Sequence, residues 1–347
     1  MAEIRLAKLA HSYGNGTNAL KPLDMTWRDG GTYALLGPSG CGKSTMLNII
    51  SGLLKPSEGR VLFDGQDVTD KDTGARNIAQ VFQVPVIYRS MTVGENLAFP
   101  LVCRRVPTPR IKARVEAIAE RLGLSRHLNS RAVALTADQK QLISLGRGLV
   151  REDVSAVLLD EPLTVIDPQM KFELRKILKD INREFRLTMV LVTHDQNEAL
   201  TFADTVVVMN HGEVIQAGTP QELFERPATT HVGTFIGSPA MNFLPAVREG
   251  DRVLVPGAGL SRTAPADLPT TDLTLAFRPE HAVAGGPLAG TVTRIWFEGA
   301  DQVLALSVGD ASLRIRAVAG AETVGAIVRF DVPQDCLRLY HQGRLVA

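Results

Sequence analysis

The chain has 347 residues, 45% of them apolar and 22% charged, with a formal net charge of +1. That length suits two domains with sizeable cores, and the near-neutral balance gives no ground for a nucleic-acid partner. No run approaches the roughly 18 uninterrupted apolar residues of a membrane-spanning helix, and the start MAEIRLAKLAHSYG lacks the apolar core of a signal peptide.

In chain order, residues 32–36 (TYALL) are a short apolar run that predicts a buried strand feeding the glycine-rich GPSGCGKST at 37–45. MLNIISGLL then has helical character and is stopped by Lys55-Pro56, and VLFDGQDVT and IAQVFQV read as strands around turn residues. Residues 88–155 differ. RIKARVEAIAERLGL and DQKQLISLGRGLV have helical spacing and few strand signals, which predicts a helical subdomain inserted into the core. AVLLD at 156–160 resumes the strand pattern. Asp167-Pro168 supplies an N-cap and a first-turn proline, and Met170, Leu174, Ile177, Leu178 and Ile181 share one face of the helix behind it. MVLVT (189–193) and TVVVM (205–209) predict further buried strands, so the pattern argues for a largely parallel sheet covered by helices. From GSPAMNFLP (237–245) onward, short strand-like runs alternate with Gly, Pro and Asp, as expected of a small all-β domain.

The chemistry lies in two stretches. GPSGCGKS fits G-x-x-x-x-G-K-[ST] at Gly37, Gly42, Lys43 and Ser44. Glycines let consecutive backbone N–H groups converge on phosphate oxygens, and the following helix points its positive end there. The cradle for ATP comprises Gly37, Pro38, Ser39, Gly40, Cys41, Gly42, Lys43, Ser44 and Thr45, with Lys43 on the β- and γ-phosphates and the Ser44 hydroxyl on Mg²⁺. A glycine turn with an accidental lysine would not sit between a strand and a helix. AVLLDEP places Asp160 at the end of a buried strand, with Glu161 after it. Alone, Asp-Glu-Pro there is more often a solvated turn. Beside a phosphate loop, Asp160 supports the metal and Glu161 accepts a proton from the attacking water.

With these residues in order, the chain resembles the nucleotide-binding subunit of an ABC transporter over nearly its whole length. The resemblance implies an α/β P-loop ABC ATPase domain at 1–236 with a helical subdomain at about 88–155, then a small all-β, OB-like regulatory domain at 237–347. It also implies that Gln83 in VFQVP approaches metal and water, with Ser44, Gln83 and Asp160 around Mg²⁺. The segment after Gln83 would touch the membrane partner. Asp167 in LTVIDP matches the aspartate loop, and His194 in LVTHDQNEAL the switch histidine at the γ-phosphate. Tyr13 stands where an aromatic ring stacks on adenine. The expected catalytic set is therefore Glu161, His194 and Gln83.

FRPEH (277–281) followed by GTVTRIWFEGADQVLAL is similar to the regulatory β-domain of importers for sugars, polyols and sugar phosphates. LTADQKQLISLGRGLV with MNFLPA further resembles the paired ATPases of bacterial glycerol importers. Implied partners are integral membrane permease subunits, a second related ATPase (or a second copy) and an external solute-binding protein. The implied location is the cytoplasmic face of the inner membrane, as a peripheral subunit. Three cysteines without paired spacing, Cys41, Cys103 and Cys336, fit a reducing compartment.

One departure stands out. Where the family's signature loop reads Leu-Ser-Gly-Gly-Gln, this chain has Leu135, Thr136, Ala137, Asp138 and Gln139. Thr136 keeps a hydroxyl and can cap a helix. Asp138 would set a carboxylate against the γ-phosphate of an opposed subunit, or else serve as a first-turn acid of its own helix. Other classes fit less well. A soluble ABC ATPase of ribosome or DNA usually has two cassettes or long coiled coils, neither of which is seen. A chiefly regulatory protein would not need an intact phosphate site, and a small-molecule kinase would not explain Gln83 and His194 in this order. His11, His127, His211, His231, His281 and His341 are scattered and read as structural or exposed.

Overall fold

The computed structural model describes residues 2–14, 16–320 and 322–346. Contacts divide the chain into two units, Met1–Pro220 and Gln221–Ala347. The first unit opens with strands that carried no sequence expectation: β1 (Ile4–Tyr13) and β2 (Thr17–Trp27) pair antiparallel, with register shifts after Leu6, Leu9 and His11. Such bulges break the period-two alternation by which a strand is read from sequence.

β3 (Thr32–Leu36), α1 (Lys43–Ser51), β4 (Glu58–Phe63), β5 (Gln66–Asp67), α2 (Thr73–Arg76) and β6 (Ala79–Val81) follow. Between β6 and β7 (Val157–Asp160) every helix or strand is helical, the longest being α3 (Val93–Cys103), α4 (Thr108–Arg121) and α5 (Ala137–Leu149). α6 (Pro168–Phe185), β8 (Met189–Thr193), α7 (Gln196–Phe202), β9 (Thr205–Asn210) and β10 (Glu213–Gly218) complete this part. On α6, Leu174, Leu178 and Ile181 are buried, but Met170 in the first turn is exposed, so the apolar face is shorter than the spacing predicts.

Two sheets form. One is antiparallel in the order β2-β1-β4-β5; the other runs β10-β9-β3-β8-β7-β6, parallel except for the β9–β10 hairpin. Leu47 and Ile50 of α1 share one apolar cluster with Leu6 of β1 and with Leu158 and Val190 of the parallel sheet, which fixes α1 against both. The strands β3 and β8 are buried along their whole length, as parallel strands covered on both faces must be. Register sets Leu36 beside Thr193 and Asp160 beside Val192. The phosphate loop, Asp160-Glu161 and Thr193-His194 therefore leave the sheet along one edge, at the carboxyl ends of its strands.

The second unit begins with two short helices, α8 (Pro220–Glu225, entered from the last residue of the first unit) and α9 (Thr230–Phe235). Strands β11 (Asn242–Glu249), β12 (Arg252–Leu254), β13 (Ser261–Thr263), β14 (Leu273–Phe277), β15 (Val283–Phe297), β16 (Asp301–Val308), β17 (Ala311–Val318), β18 (Ile327–Asp331), β19 (Arg338–His341) and β20 (Arg344–Leu345) follow. They make a six-stranded sheet, β13-β12-β11-β14-β19-β20, and a four-stranded one, β17-β16-β15-β18, over a shared apolar core. By contacts the division falls between Pro220 and Gln221, and within the second unit Arg278 ties the two short helices to the strands. Its fully buried guanidinium donates to the carbonyls of Phe224, Gly233 and Ile236 at the ends of α8 and α9. Burial lowers the pKa of Arg278 to about 10, with the nearby Glu280 carboxylate opposing.

Candidate functional site

The loop from Gly37 to Thr45 turns into α1 through Gly42, which caps the helix with φ 102°. A Cβ there would stand 2.4 Å from the Ala19 carbonyl oxygen, so glycine is required both for its dihedral and for the close approach of β2. Lys43 is buried, and its ammonium donates to the carbonyls of Gly37 at 2.8 Å and Pro38 at 2.9 Å. The charge is thus held within the loop with few rotamers open to it. The Cys41 thiol, also buried, has its pKa raised by desolvation, with Lys43 opposing.

Asp160 ends β7 and accepts a hydrogen bond from the Ser44 hydroxyl at 3.1 Å. Burial raises its pKa; the Ser44 bond pulls the other way, Glu161 adds to the rise, and Lys43 opposes it. Ser44 and Asp160 present adjacent hard oxygens. Mg²⁺ typically takes only one or two protein oxygens and fills its remaining positions with phosphate and water. Among the described residues no three His, Cys, Asp or Glu side chains form a cage of their own, and the Ser44–Asp160 pair fits an ion shared with a nucleotide.

Glu161 adopts a left-handed conformation, φ 46°, anchored by its N–H bond to the Val192 carbonyl at 3.0 Å. A non-glycine residue held there stores strain that the surrounding strands must balance. Three groups converge on its Oε2: Gln83 Nε2 donates at 3.4 Å, His194 Nδ1 lies 3.4 Å away, and the Thr164 hydroxyl, which bonds the Glu161 carbonyl at 3.1 Å, lies 3.5 Å away. Gln83, Glu161 and His194, each on a different segment, thus meet at one carboxylate oxygen. Tyr13, 46% exposed, meets the Thr45 hydroxyl at 3.3 Å through its own, and packs edge-to-face on His11 at 4.7 Å between ring centroids.

A cleft of about 480 Å³ runs over this loop, with Tyr13 and Glu161 among its lining residues. Its remaining wall includes Asn18, Ala19, His211 and Gly212, which sequence reasoning did not assign. His211 (φ 46°) and Gly212 (φ 75°) form the tight turn of the β9–β10 hairpin. That turn is legible in Asn-His-Gly between apolar runs. Its place beside the phosphate loop is not: it depends on Gly212 N–H reaching the Cys41 carbonyl at 3.1 Å and Lys21 N–H reaching the Gly212 carbonyl at 2.7 Å. Thr164 was likewise unassigned.

The signature-like residues lie apart from this cleft. Thr136 and Gln139 cap α5 reciprocally: Gln139 N–H donates to the Thr136 hydroxyl at 3.3 Å, and Thr136 N–H to Gln139 Oε1 at 3.1 Å. Ala137 and Asp138 occupy the first turn, and Asp138 is half-buried. Asp167 caps α6 by accepting from Met170 N–H at 3.0 Å. None of these five lines the cleft.

Comparison with known proteins adds to this geometry. The ABC transporter family model matches residues 20–164. The sn-glycerol-3-phosphate import ATP-binding protein of Chromohalobacter salexigens is 42% identical over 84% of this chain and 80% of its own length. Its counterpart from Salmonella choleraesuis is 39% identical over 91% of both. The trehalose/maltose import ATP-binding protein of Thermococcus litoralis is 42% identical over 71% of this chain and 68% of its own. Among solved structures, CbiO1 of Clostridium perfringens, part of an ABC transporter complex, is similar at a TM-score of 0.60 and 32% identity, over 64% of this chain and 90% of its own.

Proposed function

This chain belongs to the family of ABC transporter ATP-binding proteins, and from that premise we propose that it hydrolyses ATP to ADP and phosphate to drive import of a sugar, a polyol or one of their phosphates through separate membrane subunits. The observation that carries the reading is the convergence of Gln83, His194 and Thr164 on one oxygen of Glu161, beside a phosphate loop whose lysine is held in place.

Backbone N–H groups of residues 39–45 and the positive end of α1 receive the phosphates, while Lys43 neutralises part of their charge. Ser44 and Asp160, with Gln83, would hold Mg²⁺, which would supply further charge neutralisation on the phosphate oxygens. Glu161 takes the proton of the attacking water, and Gln83 and His194 keep its carboxylate aimed. Tyr13 supplies a face for the adenine ring. Positioning and fixed charge account for most of the acceleration such a site gives.

Thr136, Ala137, Asp138, Gln139 and Asp167 would complete the site of an opposed subunit. Asp138 makes the two sites of a dimer unequal if the partner carries an ordinary signature, and that favours a heterodimer of related ATPases over a pair of identical chains. The permease would dock at the groove of about 290 Å³ lined by Phe82, Val86, Pro100, Arg104 and Arg147, next to the exposed Val84 and Val102. Among the described residues no helix is long and apolar enough to cross a membrane; the chain would sit on the cytoplasmic face through these contacts, with a solute-binding protein acting on the permease from outside.

The test is magnesium-dependent phosphate release by the full chain, alone and with its membrane subunits and second ATPase. Release that rises with the partners is expected; bound nucleotide without release in any combination overturns the reading. Uptake of labelled glycerol and of sn-glycerol 3-phosphate by cells lacking the chain identifies the solute: the one whose uptake is lost.

A further inference from the structure

Glu198, in the first turn of α7, has only 3% of its surface exposed. A carboxylate so placed is costly unless both its oxygens are engaged. They go to different elements. Oε2 accepts from the Thr193 hydroxyl at 2.7 Å, and Oε1 from the Lys171 ammonium at 2.9 Å. Thr193 ends β8 and immediately precedes His194; its hydroxyl oxygen accepts in turn from Asp195 N–H at 3.0 Å. Asp195 caps α7, accepting from Asn197 N–H at 2.7 Å and Glu198 N–H at 3.4 Å. Both neighbours of His194 are therefore tied to each other and to Glu198, while His194 itself is free to point at Glu161. Lys171 lies in α6, one turn beyond the Asp167 cap.

We propose that Lys171, Glu198 and Thr193 form a strut that holds His194 against Glu161 and makes that position depend on the Asp167 end of α6. Glu198 and Lys171 are positioning residues, neither touching nucleotide, and the assignment rests on the proposed roles of His194 and Glu161. Two features set the strut apart from an incidental buried ion pair. Its carboxylate spans two elements that each lead into the site, and its neutral end bonds the residue adjoining His194. A shift of the His194 backbone would change the 3.4 Å approach of Nδ1 to Glu161 Oε2, and displacements of under an ångström at a reacting group are felt in rate. Glutamine at 198 keeps the size and an acceptor for Thr193 but removes the ion pair.

The test compares Glu198→Gln, Lys171→Met, Lys171→Arg, His194→Ala and the double variant Glu198→Gln/His194→Ala in the full chain. Glu198→Gln is expected to lower kcat about tenfold and leave KM for ATP within about twofold, with Lys171→Met similar and Lys171→Arg near the parent. In the His194→Ala background, Glu198→Gln should cost nothing further. The His194 ring resonances, read by NMR, should shift in Glu198→Gln and Lys171→Met. An equal cost with and without His194, an unchanged kcat, or unmoved resonances overturns the strut. Should Glu198→Gln not fold, Lys171→Met, at a side chain 22% exposed, carries the same tests. A parent chain without ATPase activity, alone or with its partners, defeats the functional reading instead, and the resonances still decide the strut.

Discussion

Replacing Asp138 by glycine is expected to move stability and activity in opposite directions. Asp138 lies in the first turn of α5, behind the Thr136 cap. A carboxylate at that positive end contributes about 0.3–1 kcal/mol, and glycine within a helix costs about 1 kcal/mol against alanine. Aspartate already sits up to about 0.7 kcal/mol below alanine, so the variant should lose roughly 0.5–1.5 kcal/mol, lowering Tm by about 2–4 °C per kcal/mol. Activity carries the opposite sign. A carboxylate roughly 4 Å from a phosphate charge, at an effective dielectric near 20, costs about 4 kcal/mol. Asp138 is half-buried, so solvent screens much of that, and a residual of about 1–2 kcal/mol corresponds to roughly tenfold in rate. Phosphate release by the isolated chain, which carries the altered loop on both sides of any homodimer, is the assay, with calorimetry on the same samples. Asp138→Asn separates the effects, since it removes the charge without glycine's backbone cost. A lower Tm together with unchanged or lower ATPase in Asp138→Gly would refute the reasoning and leave Asp138 as a helix-capping acid alone.

Glu161→Gln should reduce kcat by about 10²-fold or more while MgATP still binds; retention of a tenth of the parental rate would contradict its role as base. Burial raises the pKa of Asp160, so the folded chain binds that proton more readily than the unfolded chain, and stability is lost as pH rises from the ordinary carboxylate range through the raised value. Asp160→Asn should therefore raise the Tm of the nucleotide-free chain at pH 7, with the gain vanishing in strong acid, and should weaken magnesium-dependent nucleotide binding; a Tm difference independent of pH would contradict this. Arg278→Met leaves buried helix-end carbonyls unpaired at about 1–3 kcal/mol each, partly offset by relief of the guanidinium's own burial. Scanning calorimetry should show the second unit's transition lowered by roughly 2–4 kcal/mol with MgATP affinity unchanged, and an unmoved transition would contradict the role given to Arg278 in holding α8 and α9.

What the sequence made legible was local. The runs at 32–36, 156–160, 189–193 and 205–209 correspond to β3, β7, β8 and β9, because strands buried on both faces need unbroken apolar residues. Gly37–Thr45 and Asp160-Glu161 were readable because each motif's chemistry lies within a few consecutive residues. Four other features were not. The hairpin of β1 and β2 is irregular in register and shows no clean alternation. The docking of the two short helices on the second unit's strands involves Arg278 and Tyr340, whose hydroxyl donates to the Pro227 carbonyl at 2.9 Å across 113 positions of chain. His211 reaches the cleft only because the β9–β10 turn docks on Cys41. Glu198 had no local signal beyond its place in a helix, since its burial follows from Lys171 on another element.

The most direct measurement is calorimetric titration of the folded full chain with ATP, with and without magnesium. Saturable binding that strengthens on adding the metal, and is lost in Lys43→Ala, is the predicted result. Heat indistinguishable from dilution in both titrations, with folding verified, would contradict the claim that this cleft grips a nucleotide.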